Sequence, residues 1–122
     1  PCFNDFGDAI RTYANHGRED DEQLDNVWLD MAMFRGFAAG YLSEAREFLT
    51  PAETEALAFS VRYITYEQVL RFLMDYLNGD TYYKVKSPDH NLVRTRAQYA
   101  LLQSVEEHYA EMCDAIRELA EA

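Results

Sequence analysis

The stretch from Thr50 to Gly79 carries both a start signal and a stop signal for a helix. The Thr50 hydroxyl can accept a hydrogen bond from the backbone N–H of Glu53, and the Glu53 carboxylate can reach back to the N–H of Thr50. Pro51 stands at the first helical position, where its missing N–H costs nothing. The pair Asn78-Gly79 is a typical C-terminal end. These signals predict a helical segment over most of this stretch.

Within this segment, apolar residues occur on almost every helical face from Phe59 to Leu77. A helix that is apolar all round is usually buried, so we expect this one at the centre of the fold. Leu77 is its predicted last residue, and a break near Ala58 is the alternative to one continuous helix.

Other segments follow the three-to-four-residue spacing of amphipathic helices. We predict a short helix from Asp5 to Ala14 with Asp5 as its cap, a polar loop over residues 15–25, and a helix from about Leu29 to Ala45. A last helix is predicted from about Asn91 to near the end of the chain. The core stripe predicted for it comprises Tyr99, Leu102, Val105, Tyr109, Met112, Ile116 and Leu119.

This order of elements predicts an all-α fold with about four helices, two of them long. A chain of 122 residues is the size of one domain, so residues 1–122 are expected to form a single helical domain or subdomain. Five Gly and three Pro are too few for the frequent turns of a β-sandwich or β-barrel.

The net charge excludes one large class of partner. The chain has 22 acidic and 11 basic residues, which give a charge of −11. A phosphate backbone would repel it, so no nucleic-acid partner is expected. The acids at 19–22 are consecutive, whereas a calcium loop needs alternating carboxylates around a glycine. These four residues are therefore predicted to be a solvated loop.

Composition also bears on location. No run of about 18 apolar residues is present, so no membrane partner is expected. Two isolated cysteines, Cys2 and Cys113, fit a reducing cytoplasm, and one disulfide between them is the alternative. The chain begins at Pro1, without Met or a signal peptide, which suggests processing, tag removal or an excised fragment.

Charged residues form a line on the otherwise apolar central helix. Glu67, Arg71 and Asp75 stand at i, i+4 and i+8. They are either an ion-pair ladder at the solvent edge or the polar wall of a pocket, because buried charges need partners. The connector from Thr81 to Lys86 is rich in Tyr, and it either aims rings and hydroxyls into a cleft or covers the edge of the core.

The usual catalytic motifs are missing. Asp5-Phe6-Gly7 matches the magnesium motif of protein kinases, but that motif needs a catalytic Asp and a magnesium-binding Asn upstream, and only four residues precede Asp5. The three histidines belong to no zinc or di-iron motif, and no glycine-rich phosphate loop occurs. We therefore expect no catalytic residue and no metal ligand in this chain.

Three segments, residues 4–11, 71–84 and 90–98, carry a resemblance to a known family. Their sequences are NDFGDAIR, RFLMDYLNGDTYYK and HNLVRTRAQ. In this order they are similar to the C-terminal part of the aminoglycoside phosphotransferase and choline kinase superfamily, and within it to the N-acetylhexosamine 1-kinase branch.

The resemblance implies a helical part of an ATP-dependent small-molecule kinase. In such enzymes the ATP lobe, a His-Gly-Asp…Asn catalytic loop and an Ile-Asp-x-Asp magnesium segment all precede these residues. This chain would then lack the catalytic Asp and the magnesium ligands, and whether it is an enzyme by itself stays open. ATP and Mg²⁺ are implied for the full-length parent only, and no cofactor is expected in this chain. The implied partners are the missing N-terminal kinase lobe and a sugar or amino-alcohol acceptor.

The resemblance also implies site residues, of which Arg71 and Tyr82 are carried over by motif. Three are assigned to the acceptor: Arg71, Tyr82 and Tyr109, the last standing about where relatives can have Trp. Asp8 and Arg11 are expected to brace the end of the catalytic segment. Glu67 and Asp75 are expected to support the site beside Arg71.

The leading hypothesis is thus an acceptor-side helical subdomain of a sugar or amino-alcohol phosphotransferase that is not catalytic by itself. One alternative is a stand-alone helical interaction module derived from a kinase tail, and another is a helical binder of a small ligand. An excised subdomain should expose the apolar face that met the ATP lobe. An evolved module should cover that face or dimerise through it.

Overall fold

The computed structural model describes the backbone from Cys2 to Glu121 and the side chains from Asn4 to Glu121. The described residues form a short 3-10 helix, Leu24–Asn26, and the following α-helices: α1 (Cys2–Tyr13), α2 (Met31–Ala45), α3 (Pro51–Glu55), α4 (Leu57–Leu77), α5 (His90–Glu107) and α6 (Tyr109–Glu121). The prediction of an all-α fold is confirmed. The expected number of about four was too low, because two predicted helices are each divided in two. The alternative disulfide involves Cys2, whose side chain lies outside the described residues.

The first division separates α3 from α4. The predicted capping box is confirmed: Thr50 Oγ1 accepts from the Glu53 N–H at 3.1 Å, and Glu53 Oε1 accepts from the Thr50 N–H at 3.0 Å. The helix so started ends at Glu55, and α4 begins at Leu57 after the single residue Ala56. The break therefore lies two residues before the position given as an alternative.

The second division, at His108, separates α5 from α6. The ring Nδ1–H of His108 donates to the Ser104 carbonyl at 2.8 Å, the acceptor that the backbone N–H of His108 also uses at 3.0 Å. A side chain that bonds back to its own helix in this way competes with regular backbone pairing. The apolar spacing continues through the break, which is why the sequence predicted one helix.

The start of α1 also differs from the prediction. Asp5 was expected to cap this helix, but α1 begins at Cys2 and Asp5 lies in its first turn. Phe6 and Ile10 are fully buried. Between them Gly7 faces Ser60 of α4 so closely that a Cβ on Gly7 would lie 2.5 Å from the Ser60 carbonyl oxygen. The missing side chain therefore permits the close packing of α1 on α4.

The core lies where α4 packs between α1 and α5 and where α2 packs on α6. The predicted central position of α4 is confirmed, but its burial all round is not. Val61, Thr65 and Phe72 are buried on one side. The opposite side exposes a row of large apolar residues, called here the α4 stripe: Tyr63, Tyr66, Leu70, Met74 and Leu77, which are 46%, 53%, 41%, 59% and 72% exposed.

The apolar stripes predicted for the other helices hold in large part. Phe34, Ala38 and Leu42 of α2 are buried, as expected. Tyr99 of α5 was predicted in the core and is 53% exposed, because the buried face of α5 is centred on Ala97, Leu101 and Val105 instead. None of the helices in the described part of the chain is long and apolar enough to cross a membrane.

The predicted loop over residues 15–25 is confirmed for residues 15–23 and is tied to the start of α2, whereas Leu24 and Asp25 lie in the 3-10 helix. The prediction that all four acids at 19–22 are solvated is wrong for Asp21, which is buried. Asn15 and Leu29 form an isolated antiparallel bridge, and the His16 N–H donates to the Trp28 carbonyl at 2.9 Å. Inside the loop, buried Asp21 accepts from the backbone N–H groups of Arg18 and Gln23 at 3.3 and 3.0 Å. The loop is therefore held by backbone pairing at its ends and by one carboxylate in its middle.

Candidate functional site

Three of the predicted site residues, Arg71, Asp75 and Tyr82, meet at the C-terminal end of α4, in an open groove of about 220 Å³. We call it the Arg71 groove. Its lining residues come from the last turns of α4 and from the connector to α5: Arg71, Met74, Asp75, Asn78, Thr81, Tyr82 and Tyr83. The groove thus contains two of the three residues assigned to the acceptor by the resemblance.

The end of α4 sets the direction of the connector. The Asp80 N–H donates to the Asp75 carbonyl at 2.8 Å, and the Gly79 N–H donates to the Tyr76 carbonyl at 3.3 Å. This pair of bonds is the Schellman arrangement of a helix C-terminus. It requires left-handed backbone, which Gly79 adopts at φ 89° and Asp80 at φ 62°. The chain therefore turns back over the last turn of α4.

The Asp75 carboxylate holds the returning connector. Its Oδ1 accepts from the Tyr82 N–H at 2.8 Å, and its Oδ2 accepts from the Tyr83 N–H at 3.1 Å and from Asn91 Nδ2 at 2.7 Å. Burial raises the pKa of Asp75, but hydrogen bonds from the Tyr83 and Tyr82 backbone and from Asn91 outweigh it and lower the pKa below its usual 3.8. Asp75 therefore stays ionised and links α4, the connector and α5.

Arg94 clamps the same connector from α5. Its Nη2 donates to the Lys84 carbonyl at 2.9 Å, and its Nη1 donates to Asn91 Oδ1 at 2.8 Å. The guanidinium also lies 5.6 Å from the ring centre of Phe72 and 5.9 Å from that of Tyr83, which is cation–π range. Sequence reasoning assigned no role in this site to Asn91 or Arg94. The only sequence feature that pointed to them was their position near the start of a helix that follows an aromatic connector.

Arg71 and Tyr82 are brought together and left accessible. The Arg71 guanidinium lies 5.7 Å from the centre of the Tyr82 ring, and Tyr82 is 72% exposed. Arg71 also makes a long ion pair of 3.9 Å with Glu67, with both side chains over two-fifths exposed. A cation beside an aromatic face can bind a hydroxyl-bearing ligand by hydrogen bonding and ring contact together.

The three residues of the charged line on α4 therefore do not share one role: two fit the ion-pair ladder and one fits the polar wall. Glu67 and Arg71 form the ladder at the solvent edge, which contributes a few tenths of a kcal/mol by the usual magnitude. Asp75 is only 5% exposed and bonds to backbone N–H groups and to Asn91. Asp75 differs from Glu67 and Arg71 because it lies at the end of the helix. Helical periodicity alone does not indicate that difference.

Tyr109 lies apart from the groove. Its ring is 5.1 Å from the guanidinium of Arg62, and Arg62 precedes Arg71 by nine residues of α4, which is about 13 Å along the helix. Burial and the neighbouring Cys113 raise the pKa of Tyr109. The structure therefore does not bring Tyr109 together with Arg71 and Tyr82.

Asp8 and Arg11 form a separate brace. Arg11 donates to Asp8 at 2.8 and 3.0 Å, to Glu19 at 2.6 Å and to the fully buried Gln98 at 3.2 Å. Burial lowers the pKa of Arg11, but its bonds to Glu19 and Asp8 outweigh burial and raise it. The pair joins α1 to the acidic loop and to α5 at a distance from the Arg71 groove.

His90 makes a third connection at the start of α5. Its Nδ1 accepts from the Lys86 N–H at 3.1 Å, so its Nε2 carries the proton and donates to Asp20 at 2.9 Å. That hydrogen bond is the main cause that lowers the pKa of Asp20. The connector is thereby anchored to the acidic loop.

No model of a known protein family matches the sequence. Within the described residues, no three His, Cys, Asp or Glu side chains come together in a way that could hold a metal ion.

Proposed function

We propose that this chain is the acceptor-side helical subdomain of an ATP-dependent small-molecule phosphotransferase, and that it is not catalytic by itself. The observation that carries the proposal is the α4 stripe, which runs along the central helix and ends at the Arg71 groove. The similarity of residues 4–11, 71–84 and 90–98 to sugar kinases supports the same assignment.

The α4 stripe has the properties of a face covered by another part of an enzyme. Its five residues are spaced by three or four positions over fifteen residues, so they lie in one row. A contiguous apolar surface of this length is uncommon on a monomer that has no partner. In the proposal, the lobe that binds ATP packs on this row and closes the Arg71 groove from that side.

The groove supplies contacts for the acceptor. The Arg71 guanidinium can donate to a hydroxyl or ring oxygen, and the exposed Tyr82 ring can pack on the apolar face of a sugar or on an amino-alcohol. Phosphoryl transfer depends chiefly on positioning and charge stabilisation, so orienting the acceptor hydroxyl is a contribution these residues can make. In the proposal, ATP and Mg²⁺ are bound by the N-terminal lobe that the resemblance implies, and this chain supplies only contacts to the acceptor.

Arg71→Ala tests the groove. In the intact parent enzyme we expect this variant to raise the KM for the acceptor about tenfold, with the KM for ATP unchanged, because one charged donor to the acceptor is lost. The unfolding free energy should change by less than about 0.5 kcal/mol, since Arg71 is exposed and its ion pair is long. Steady-state kinetics and thermal unfolding measure both effects.

The control for this variant is Arg62→Ala. Arg62 is also on α4, is 43% exposed and also pairs with a glutamate, Glu106, at 2.9 Å, but it lies nine residues, or about two and a half turns, before Arg71, the first groove residue on α4. We expect its acceptor KM to match the unmodified enzyme. Equal losses in both variants, or no loss in Arg71→Ala, would contradict a role for the groove in acceptor binding.

The exposed stripe gives a second prediction, which separates the proposal from a stand-alone interaction module. We expect the isolated chain to bind a hydrophobic dye, and we expect Leu70→Glu together with Met74→Glu to reduce dye fluorescence several-fold, because both residues are at least 41% exposed. Circular dichroism should show that the helices are retained. A matched pair of changes at exposed polar positions of α6, Glu111→Gln and Glu118→Gln, should leave dye binding unchanged.

The native polypeptide decides between the two assignments. An antibody raised against this chain should detect, in cells that produce it, a polypeptide well above 14.2 kDa that phosphorylates a sugar or amino alcohol with ATP. A band at 14.2 kDa, together with a monomer that binds no dye, would instead favour the interaction module.

A further inference from the structure

A second cavity lies away from the Arg71 groove, between the segment before α2 and the second half of α5. It is an open groove of about 690 Å³, called here the Trp28 groove. Its lining residues are Leu24, Asp25, Val27, Trp28, Leu29, Met31, Ala100, Gln103, Ser104, Glu107 and His108. On α5, Ser104 follows Asn91, which bonds to Asp75 of the Arg71 groove, by thirteen residues, or about 20 Å of helix.

The walls of the Trp28 groove are fixed by buried hydrogen bonds. The Leu29 N–H donates to Ser104 Oγ at 2.9 Å, which joins the segment before α2 to α5. The Nδ1–H of His108 donates to the Ser104 carbonyl at 2.8 Å, so Nε2 is the ring nitrogen that can accept a hydrogen bond from a ligand when the ring carries one proton. The groove is therefore formed before any ligand arrives.

Trp28 is held in place and still accessible. Its ring stacks on His16 with the ring centres 4.2 Å apart and the planes 11° apart, and His16 is itself fixed by a 2.8 Å bond from its Nδ1 to the Asn26 carbonyl. Trp28 is nevertheless 41% exposed. The ring surface that His16 does not cover is thus available to a ligand in the groove.

The polar groups of this groove are mainly acidic. Asp25 and Glu107 are both exposed carboxylates, and neither has an ion-pair partner among the described residues. No Lys or Arg is among the described lining residues. The His108 acceptor and the Trp28 ring face also favour a positive ligand, since the face of an indole attracts cations. The net charge of −11 also attracts positively charged ligands over a long range.

We propose that the Trp28 groove binds a small organic ammonium ion, that is, an amine with an apolar body. Its charge is neutralised by Asp25 and Glu107, and its apolar part lies on the Trp28 ring. The volume of 690 Å³ is within the range of small-molecule sites, about 300–1,000 Å³. This inference does not depend on the proposed kinase function, because it concerns a different surface and needs no acceptor or ATP.

Trp28 provides the test, because it is the only tryptophan in the sequence. The chain is titrated with phenethylammonium while Trp28 fluorescence is recorded with excitation at its red edge. The same titration is made with 2-phenylethanol, which has the same apolar body without the charge. We expect a saturable change with the ammonium ion and at least tenfold weaker binding of the alcohol, corresponding to about 1.4 kcal/mol.

Two variants and one control locate the charge recognition. Asp25→Asn and Glu107→Gln should each weaken ammonium binding several-fold. Glu44→Gln, an exposed residue of α2 outside the groove, makes the same change in net charge and should leave binding unaltered. Circular dichroism verifies that all three variants are folded. Equal affinity for the alcohol and the amine, no saturable signal, or an equal loss in Glu44→Gln would overturn the proposal.

Discussion

Gly7→Ala is expected to destabilise this protein by about 2 kcal/mol, although alanine is the better helix former. A Cβ at this position would lie 2.5 Å from the carbonyl oxygen and 2.8 Å from the carbonyl carbon of Ser60. Both atoms belong to the backbone of α4, so no side-chain rotation can relieve the clash. Either α1 moves away from α4, or the first turns of α4 distort.

The net effect is the difference between two opposing terms. Overpacking a close helix contact typically costs about 1–3 kcal/mol, and the cost is larger where the backbone must move. Alanine recovers up to about 1 kcal/mol of helix propensity relative to glycine. Because α1 contributes the fully buried Phe6 and Ile10 to the core, displacing it also loosens side-chain packing. Urea unfolding followed by circular dichroism measures the free energy of unfolding.

Gly36→Ala is the matched control. Gly36 is also inside a helix, α2, but a Cβ built on it has no described heavy atom within 4 Å. Only the propensity term remains there, so we expect the control to stabilise the protein by about 0.5–1 kcal/mol. If Gly7→Ala stabilised the protein as much as Gly36→Ala does, the close approach of α1 to α4 would be contradicted.

The helices that the sequence predicted well are those with local signals. The Thr50 capping box and the Asn78-Gly79 end involve residues within a few positions of each other. Residue type alone therefore predicted the hydrogen bonds of the capping box and the position of the helix end. The exposed α4 stripe could not be predicted. Its residues have the same apolar character as the buried ones, and which side is covered depends on where α1 and α5 pack.

The sequence predicted some of the residues of the site better than it predicted how they are arranged. Arg71 and Tyr82 are eleven residues apart, and the Schellman turn at Gly79 brings their side chains together. The motif resemblance suggested that pairing, but spacing did not. Arg94 was missed because its bond to the Lys84 carbonyl depends on the path of the connector, which no periodic pattern records. Tyr109, assigned because it stands about where relatives can have Trp, lies against Arg62 instead.

Asp75→Asn is expected to produce the largest local effect in the site. The carboxylate accepts from two backbone N–H groups and one side-chain amide, so three donors converge on two oxygens. An asparagine of the same shape replaces one of these oxygens with an NH₂ group, which would face a donor with a donor. The connector should then separate from the end of α4 while the helices themselves remain.

Hydrogen exchange measured by NMR detects this separation directly. In Asp75→Asn, the amide protons of Tyr82 and Tyr83 should exchange at least tenfold faster, because each loses or weakens its acceptor. Glu67→Gln is the control: it removes the same charge from the same helix, but Glu67 is 41% exposed and its ion pair with Arg71 spans 3.9 Å. Unchanged exchange at Tyr82 in Asp75→Asn would show that the carboxylate does not hold the connector.

The pH dependence of the same variant has a definite sign. Because the folded pKa of Asp75 is lowered below 3.8, the unfolded state binds the proton more readily than the folded state. The stabilisation from the carboxylate is therefore fully present above the unfolded pKa and is lost as the pH falls through the folded pKa. Other lowered carboxylates, such as Asp20 and Glu53, contribute equally to both proteins and cancel in the difference.

Thermal unfolding from about pH 6 to about pH 2 should accordingly show two curves that approach each other. The unmodified protein should be more stable than Asp75→Asn at the upper end, and the gap should close only below pH 3.8, where the carboxylate takes up its proton. A gap that stayed constant to the lowest pH would mean that the asparagine acts through shape and not through the lost charge. A gap that closed well above pH 3.8 would contradict the hydrogen bonds that keep Asp75 ionised.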